Sequence, residues 1–254
     1  MYRIDIHNPF DAQVYYSDTV SSTMEVSREF LKSSGAHGTV IAAGFQTAGR
    51  GRGTNRTWET EKDSSLLFTI LFRWCHAVNI PAALTLRAGL ATALGIEDFF
   101  PSLAGKIKIK WPNDLVVIAP VTGKIAGILA EAENGNVRLG IGVNVTQTKF
   151  PSYLEKKATS IKLCAGNSRS FDSNDRFLLL EKILVRLRES ILSDDWIERI
   201  ESRLFKKDEQ VSFAVGAADS GKIVTGLLAG IGPGGELRIQ TPEELSFNCG
   251  ELIY

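Results

Sequence analysis

The chain has 254 residues, of which 44% are hydrophobic and 23% are charged, as in ordinary folded domains. This composition excludes an intrinsically disordered chain and a small scaffold held together by disulfides. Lysine plus arginine and aspartate plus glutamate each number 29, so the formal net charge is zero and the basic field of a dedicated DNA-binding protein is missing.

Cysteine spacing and hydropathy indicate the compartment of the protein. Cys75, Cys164 and Cys249 lie far apart and form no Cys-x-x-Cys pair, so we expect buried or unreactive thiols in a reducing compartment rather than structural zinc. No apolar run reaches the roughly 18 residues of a membrane span, and residues 1–13 lack the basic and apolar regions of a signal peptide. The sequence therefore predicts an intracellular, cytoplasmic protein without a membrane partner.

Two short runs rich in β-branched and aromatic residues, Thr39–Phe45 and Ser65–Arg73, predict buried strands. The segment between them, Gln46–Trp58, contains three glycines and three arginines but no acidic residue and almost no aliphatic side chain. Because such a segment cannot contribute to a core, it predicts a long loop. Long loops of this kind are usually functional or disordered.

The middle of the chain predicts one helix and several short strands. Asn79 fits an N-cap and Pro81 an early-turn proline for a helix that ends at Phe100. Lys106–Lys110 alternates lysine with isoleucine, which is typical of a half-buried strand. Three more strand-like runs follow, with the sequences LVVI, KIAGILAE and NVRLGIGVNV. Short strands in succession favour an antiparallel or mixed sheet over a doubly wound one.

The C-terminal part changes from helices to strands. Apolar residues recur at helical spacing over residues 174–204 and predict two helices separated near Asp194-Asp195. Lys206–Glu209 follows as a charged hinge, after which short strand-like runs with glycine-rich turns indicate a small SH3-like β-barrel. We therefore predict two domains, residues 1–206 and residues 207–254.

Two glycine-rich motifs in the second domain resemble phosphate-binding loops only in spacing. Gly216–Lys222 has the glycines and lysine of a P-loop, but Ile223 stands where a magnesium-binding hydroxyl is needed. Gly230–Gly235 fits the dinucleotide fingerprint, but a strand-like run follows it instead of a helix. We interpret both motifs as turns.

The run Gly49–Gly53 alternates glycine with Arg50 and Arg52, so guanidinium groups and backbone amides can converge on one anion. From these five residues alone, a solvated surface loop or an RNA-binding Arg/Gly segment is an equally good interpretation.

Three later motifs would reach the same region of the fold. Lys110–Asp114 ends a strand and places two polar residues at the end of a sheet, where they either face a ligand or magnesium ion or form an ordinary turn. Lys124 begins an apolar strand and either extends to water or binds an anion. Gly140–Asn144 adds closely packed backbone and an amide.

Taken in order, Gln46–Arg52, Lys110–Asp114, Gly123–Leu129 and Gly140–Asn144 resemble the biotin protein ligases, also called biotin–acetyl-CoA-carboxylase ligases or holocarboxylase synthetases. The resemblance is strong over residues 21–145 and weak beyond them. It implies an α+β fold in which a mixed β-sheet flanked by helices, related to the class II tRNA-synthetase catalytic fold, precedes a small SH3-like β-barrel.

In this family, biotin and Mg-ATP form biotinyl-5′-AMP and pyrophosphate, and a lysine of a carboxylase biotin-carrier domain then accepts the biotinyl group. The resemblance therefore implies biotin, ATP and Mg²⁺ as ligands and a biotin-carrier domain as partner of a monomer or homodimer. Some members also carry an N-terminal DNA-binding domain. Because only about 20 residues precede Ser22, too few for a three-helix reader, we expect no DNA binding.

The resemblance also implies roles for individual residues. The catalytic set is Arg50, Arg52, Asp114 and Lys124. The biotin-binding set is Ser22, Thr23, Met24, Gln46, Arg50, Gly51, Arg52 and Lys124. The ATP-binding set is Arg52, Arg56, Trp58, Asn113, Asp114, Lys124 and Asn144, with Asp114 also as metal ligand.

Two features depart from the family pattern. Met24 stands third in a stretch that is usually Ser-Thr-Asn, and the spacing from Gly53 to Trp58 is one residue longer than usual. In addition, Ser22 and Glu25 fit a helix capping box, which would give Ser22 a purely structural role.

Two alternative functions remain. A lipoate–protein ligase or related acyltransferase would have the same fold and reaction logic, but the Arg/Gly loop and Lys110–Asp114 favour biotin. A nucleic-acid-binding module built on the loop arginines is disfavoured by the zero net charge and by the lack of interleaved aromatic and basic residues.

Overall fold

The structure is a computed structural model that describes residues 1–33, 35–53, 56–166, 171–172, 174–216 and 221–253. Most of the turn predicted at Gly216–Lys222 therefore lies outside the described residues.

Eight strands among the described residues before position 145 form one sheet. Its strands are β1 (Tyr2–Ile4), β2 (Val14–Val20), β3 (Val40–Gln46), β4 (Ser65–Arg73), β5 (Ile107–Lys110), β6 (Asp114–Val117), β7 (Gly123–Glu133) and β8 (Asn136–Asn144). They lie in the order β1-β2-β3-β4-β8-β7-β6-β5, in which β2 and β3 are parallel and the other neighbours antiparallel. The predicted mixed sheet is confirmed.

Helices pack on both faces of this sheet. The described helices are α1 (Thr23–Ser33), α2 (Leu84–Phe99), α3 (Ile161–Ala165), α4 (Asp175–Leu192) and α5 (Trp196–Glu201). Helices α2 and α4 pack together over one face and enclose a core with Phe68, Leu90 and Leu184. The side chains of successive residues in a strand point to opposite faces of the sheet. Phe68 belongs to this core, whereas the next residue, Thr69, donates a hydrogen bond to Thr23 of α1. Helix α1 therefore lies on the other face, above β3, β4 and β8.

Helix α2 begins later than the sequence predicts. It starts at Leu84 instead of Pro81, because Ala83 adopts a left-handed conformation with φ of 54° and interrupts the helical path. Asn79 ends a short 3₁₀ turn and is not the N-cap. By length and composition, Ala77–Phe99 could cross a membrane, although half of that stretch is buried inside the protein. Packing of α2 against α4 and the sheet accounts for its apolar character.

A second, antiparallel sheet follows the helices. Its described strands are β9 (Gln210–Val215), β10 (Ile223–Ile231), β11 (Leu237–Gln240), β12 (Glu244–Phe247) and β13 (Gly250–Ile253), in the order β12-β11-β10-β9-β13. The predicted turn in Gly230–Gly235 is confirmed, since the Gly235 N–H donates to the Gly232 carbonyl at 2.9 Å. This sheet contacts the first one at Trp111, whose Nε1 donates to the Gly235 carbonyl at 2.9 Å. The boundary at residue 206 stays a prediction.

Candidate active site

A pocket lies on the α1 face of the large sheet, between the start of α1, the glycine-rich loop and strands β7 and β8. Its cavity volume is about 50 Å³. The predicted site residues in its lining are Ser22, Thr23, Met24, Gln46, Arg50, Gly51, Arg52, Trp58, Asn113 and Lys124. Three predicted residues, Arg56, Asp114 and Asn144, do not line it.

Glycines on β7 and β8 make the floor of the pocket. Gly127 lies opposite Gly142 in the register, and a Cβ at either position would lie within 2.9 Å of the Trp58 ring. A Cβ on Gly140 would lie 2.9 Å from Met24 Sδ. With a larger residue at any of these positions the Trp58 ring or the Met24 side chain would have to shift, so the glycines let both lie directly on the backbone of the sheet. The indole therefore rests inside the pocket, and a ligand that uses this floor must displace it.

A chain of hydroxyl and amide groups lines the opposite end. Gln46 Oε1 accepts hydrogen bonds from the Thr23 backbone N–H at 2.7 Å and from Thr23 Oγ1 at 3.0 Å. Thr69, on the adjacent strand, donates to Thr23 Oγ1 at 2.9 Å. This network holds Thr23 and Gln46 in place and leaves the first turn of α1 facing the pocket.

Ser22 does not form the capping box that its spacing allows. Its Oγ is buried and has no hydrogen-bond partner in the protein, while the Glu25 carboxylate pairs with Arg28 and Arg50. A buried hydroxyl without a partner is costly, and a polar ligand in the pocket would supply the missing hydrogen bond. The capping interpretation is therefore wrong, and the ligand-binding interpretation agrees with this geometry.

Lys124 is the central cation of the pocket. Its Nζ lies 2.7 Å from Asp114 Oδ1 and 5.4 Å from the centroid of the Trp58 ring. Asp114 reaches the site through this ion pair. Asn113 lies beside it, and its Nδ2 donates to the Ile128 carbonyl at 2.8 Å, so this amide fastens β6 to β7.

Asn144 is the predicted site residue whose position agrees least with its expected role. It is buried, and its Nδ2 donates to the Thr159 carbonyl at 3.0 Å, which occupies the amide donor inside the protein. Its backbone position follows from β8 being paired with Ser65 of β4. Any contact of Asn144 with phosphate stays a prediction.

Each described loop arginine has an acceptor within the protein. Arg50 lies between Glu25 Oε1 at 2.6 Å and Glu131 Oε1 at 2.7 Å. Arg52 Nη2 donates to the Gly250 carbonyl at 2.9 Å, so the second sheet holds the loop as well. Each guanidinium group carries five N–H donors, so an anionic ligand would contact these arginines through the N–H groups that the protein oxygens leave open.

Arg56 connects the loop to strand β13 through a two-nitrogen contact with Glu251. Burial of Glu251 raises its pKa, but the hydrogen bond from Arg56 and the charges of Arg56, Lys110 and Arg52 outweigh burial and bring the pKa below its ordinary value. Glu251 is therefore ionised at neutral pH and acts as counter-ion to this cationic edge.

The described residues contain no group of three or more histidine, cysteine, aspartate or glutamate side chains that could hold a metal ion. Asp114 already pairs with Lys124, so its role as metal ligand stays a prediction. Cys164 is buried, which raises its pKa, whereas Cys75 and Cys249 are exposed. For these two exposed thiols, the expected lack of reactivity stays a prediction.

Two residues beside the pocket escaped the sequence analysis. Arg138 and Glu131 face each other on β8 and β7 and form an ion pair at 2.7 Å, with the Arg138 side chain 7% exposed. The signal was present in the sequence, because Arg138 alternates with Gly140 and Gly142 and must lie on the same face as the glycine floor.

Comparisons with known proteins agree with this geometry. A family model described as the biotin/lipoate A/B protein ligase family matches residues 16–147. The bifunctional ligase/repressor BirA of Bacillus subtilis (strain 168) is 35% identical over 178 residues, which cover 67% of this chain and 51% of that protein. The biotin–acetyl-CoA-carboxylase ligase of Mycobacterium tuberculosis is 35% identical over 152 residues, which cover 57% of this chain and 54% of that protein.

The chain thus spans about half the length of these two curated relatives. Among solved structures, the biotin protein ligase from Aquifex aeolicus in complex with biotin and ATP has a TM-score of 0.76 and 26% identity. That match covers 94% of this chain and 97% of the other.

Proposed function

The chain belongs to the biotin/lipoate A/B protein ligase family, and we propose that it is a biotin–acetyl-CoA-carboxylase ligase. It activates biotin with Mg-ATP to biotinyl-5′-AMP and transfers the biotinyl group to a lysine of a biotin-carrier domain. The names of the Mycobacterium tuberculosis relative and of the Aquifex aeolicus structure support biotin as the substrate. The free cysteines support a reducing compartment, the cytoplasm.

The proposal rests on one observation: the pocket has uncharged polar groups at one end and positively charged groups at the other. At one end lie the unpartnered Ser22 hydroxyl and the Thr23–Gln46 network, which suit the polar ring of biotin. At the other end, Lys124, Arg50 and Arg52 supply positive charge for a carboxylate and a phosphate.

In the first step, a carboxylate oxygen of biotin attacks the α-phosphorus of ATP and pyrophosphate leaves. Negative charge accumulates between two anions, so catalysis consists of positioning and electrostatic stabilisation, and no covalent protein nucleophile is needed. Lys124 stabilises that charge, and its ion pair with Asp114 at 2.7 Å supports this role because it holds the ammonium group in the pocket before the reaction. Mg²⁺ enters with ATP as part of the substrate and is expected beside Asp114.

In the second step, the lysine amine of the carrier attacks the acyl carbon, AMP leaves, and the amine loses a proton. We assign Asp114 to receive that proton, and its ion pair with Lys124, which lines the pocket, supports the assignment. The mixed anhydride hydrolyses if water enters, so closure of the glycine-rich loop over the ligand protects it.

Biotin-dependent exchange of labelled pyrophosphate into ATP tests this proposal. We expect exchange with biotin and none with lipoate or octanoate. Equal exchange with lipoate and biotin would contradict the assignment of biotin as the substrate. The absence of exchange with all three acids would contradict the proposed adenylation reaction.

A further inference from the structure

A single buried arginine connects two segments of the pocket lining, one from each end. Arg138 lies on β8 with its side chain 7% exposed, and its two terminal nitrogens contact different elements. Nη1 donates to the Met24 carbonyl, in the first turn of α1, at 3.2 Å. Nη2 pairs with Glu131 Oε2, on the neighbouring strand, at 2.7 Å.

Glu131 transmits this contact to the glycine-rich loop. Its second oxygen, Oε1, lies 2.7 Å from Arg50 Nη2, and the other nitrogen of Arg50 lies 2.6 Å from Glu25 on α1. Because Glu25 follows Met24 in the chain, the contacts close into a ring. The ring runs from α1 through Arg50, Glu131 and Arg138 back to α1.

Stability alone does not account for a charged group at this position. Burying a guanidinium requires desolvation, and a buried ion pair often contributes no more than an apolar pair of similar volume. What the planar fork of arginine supplies is two hydrogen bonds in two fixed directions, which neither an apolar residue nor lysine can provide. The ring therefore fixes the positions of α1, the loop and the two strands relative to one another.

We propose that Arg138 is a positioning residue that sets the distance between the Ser22–Met24 segment and the Arg50–Arg52 segment. The inference rests on the proposed function, in which the first segment binds the polar ring of biotin and the second supplies positive charge to the biotin carboxylate. Neither Arg138 nor Glu131 lines the pocket, so both act through the residues they hold. Loss of the ring lets the two segments separate. This weakens the binding of biotin, which contacts both segments, more than the binding of the nucleotide, which contacts only the second.

The test compares Arg138→Met, Arg138→Lys and Glu131→Gln with Arg28→Met as matched control. Arg28 pairs with the outer oxygen of Glu25 at 3.0 Å and is exposed, so its loss removes the same charge and leaves the ring intact. Biotin affinity is measured by calorimetry without ATP, and KM values for biotin and ATP are measured by pyrophosphate exchange.

For Arg138→Met we expect biotin binding weaker by about 10- to 100-fold, the value of a charged hydrogen bond, with the KM for ATP changed by less than about threefold. Arg138→Lys restores charge but only one of the two directions, so its affinity lies between wild type and Arg138→Met. Glu131→Gln, at a partly exposed side chain, shows the same selective loss and serves if Arg138→Met does not fold. Arg28→Met behaves as wild type.

Unchanged biotin affinity in the Arg138 and Glu131 variants, or an equal rise of both KM values, would overturn the inference while leaving an active wild-type enzyme as proposed. A wild-type chain that binds no biotin would overturn the proposed function and the inference with it.

Discussion

Replacement of Lys124 by methionine separates the catalytic interpretation of this residue from the structural one. Its Nζ lies 2.7 Å from Asp114 and 5.4 Å from the Trp58 ring, and its side chain is 35% exposed. Methionine keeps an unbranched apolar stem, one atom shorter than lysine, and removes the charge. Asp114, with its side chain 18% exposed, then loses its partner.

The two interpretations differ in magnitude. If Lys124 stabilises the developing charge on the α-phosphoryl group, its loss removes about 2 to 4 kcal/mol of transition-state stabilisation, or about 30- to 1000-fold in rate. As a partly exposed ion pair, it contributes only up to about 1 kcal/mol to folding. We therefore expect a large loss of exchange activity with little loss of stability.

The assay is biotin-dependent ATP–pyrophosphate exchange at saturating substrates, together with thermal unfolding of each variant. Lys156→Met is the control, since this exposed lysine lies in the segment beside Lys124 and its replacement changes the net charge equally. We expect control activity close to wild type. If Lys124→Met also exchanges pyrophosphate within about threefold of wild type, Lys124 only balances Asp114 and the electrostatic account of the first step is wrong.

Three further predictions follow from the contacts. Arg52→Gly removes a guanidinium group from the loop, so the rate of adenylate release should rise about 10- to 100-fold. The released adenylate should then biotinylate albumin, which is not a substrate. Albumin labelling equal to that by the wild type would exclude a role for Arg52 in closing the loop over the adenylate. Replacement of Glu97, whose ion-paired side chain is 8% exposed, by alanine should lower the free energy of unfolding by about 3 to 5 kcal/mol. Replacement of the neighbouring Asp98, which forms a surface ion pair, should lower it by up to about 1 kcal/mol. Equal denaturation midpoints for the two variants would refute this prediction. Because the pKa of Glu251 is lowered, its contact with Arg56 stabilises the folded protein above pH 4.5, the ordinary pKa, and this stabilisation is lost as the pH falls through the lowered pKa. The difference in melting temperature between wild type and Glu251→Gln should therefore shrink over that pH range. A constant difference would contradict this prediction.

Local patterns in the sequence predicted much of the sheet. In β5 the alternation of lysine and isoleucine matches alternating burial, because neighbouring side chains of a strand face opposite sides. The glycines at positions 140 and 142 were recognised as closely packed backbone, but what they pack against, Met24 and Trp58, depends on the loop conformation.

Contacts between distant segments could not be predicted. Arg52 reaches Gly250, which is 198 residues away in the chain, and no local pattern encodes that pairing. The start of α2 was also misplaced, since the left-handed Ala83 has a conformation that alanine rarely adopts. For Ser22, spacing alone allowed a cap, and only the competing partners of Glu25 excluded it.

The most direct test of the central claim is the identification of the product that the purified chain makes from biotin and Mg-ATP. After denaturation, mass spectrometry should find biotinyl-5′-AMP in the supernatant. Addition of a biotin-carrier domain before denaturation should consume the adenylate and leave biotin on a single carrier lysine. An adenylate formed only from another acid, or biotinyl-5′-AMP that the carrier domain does not consume, would contradict the account.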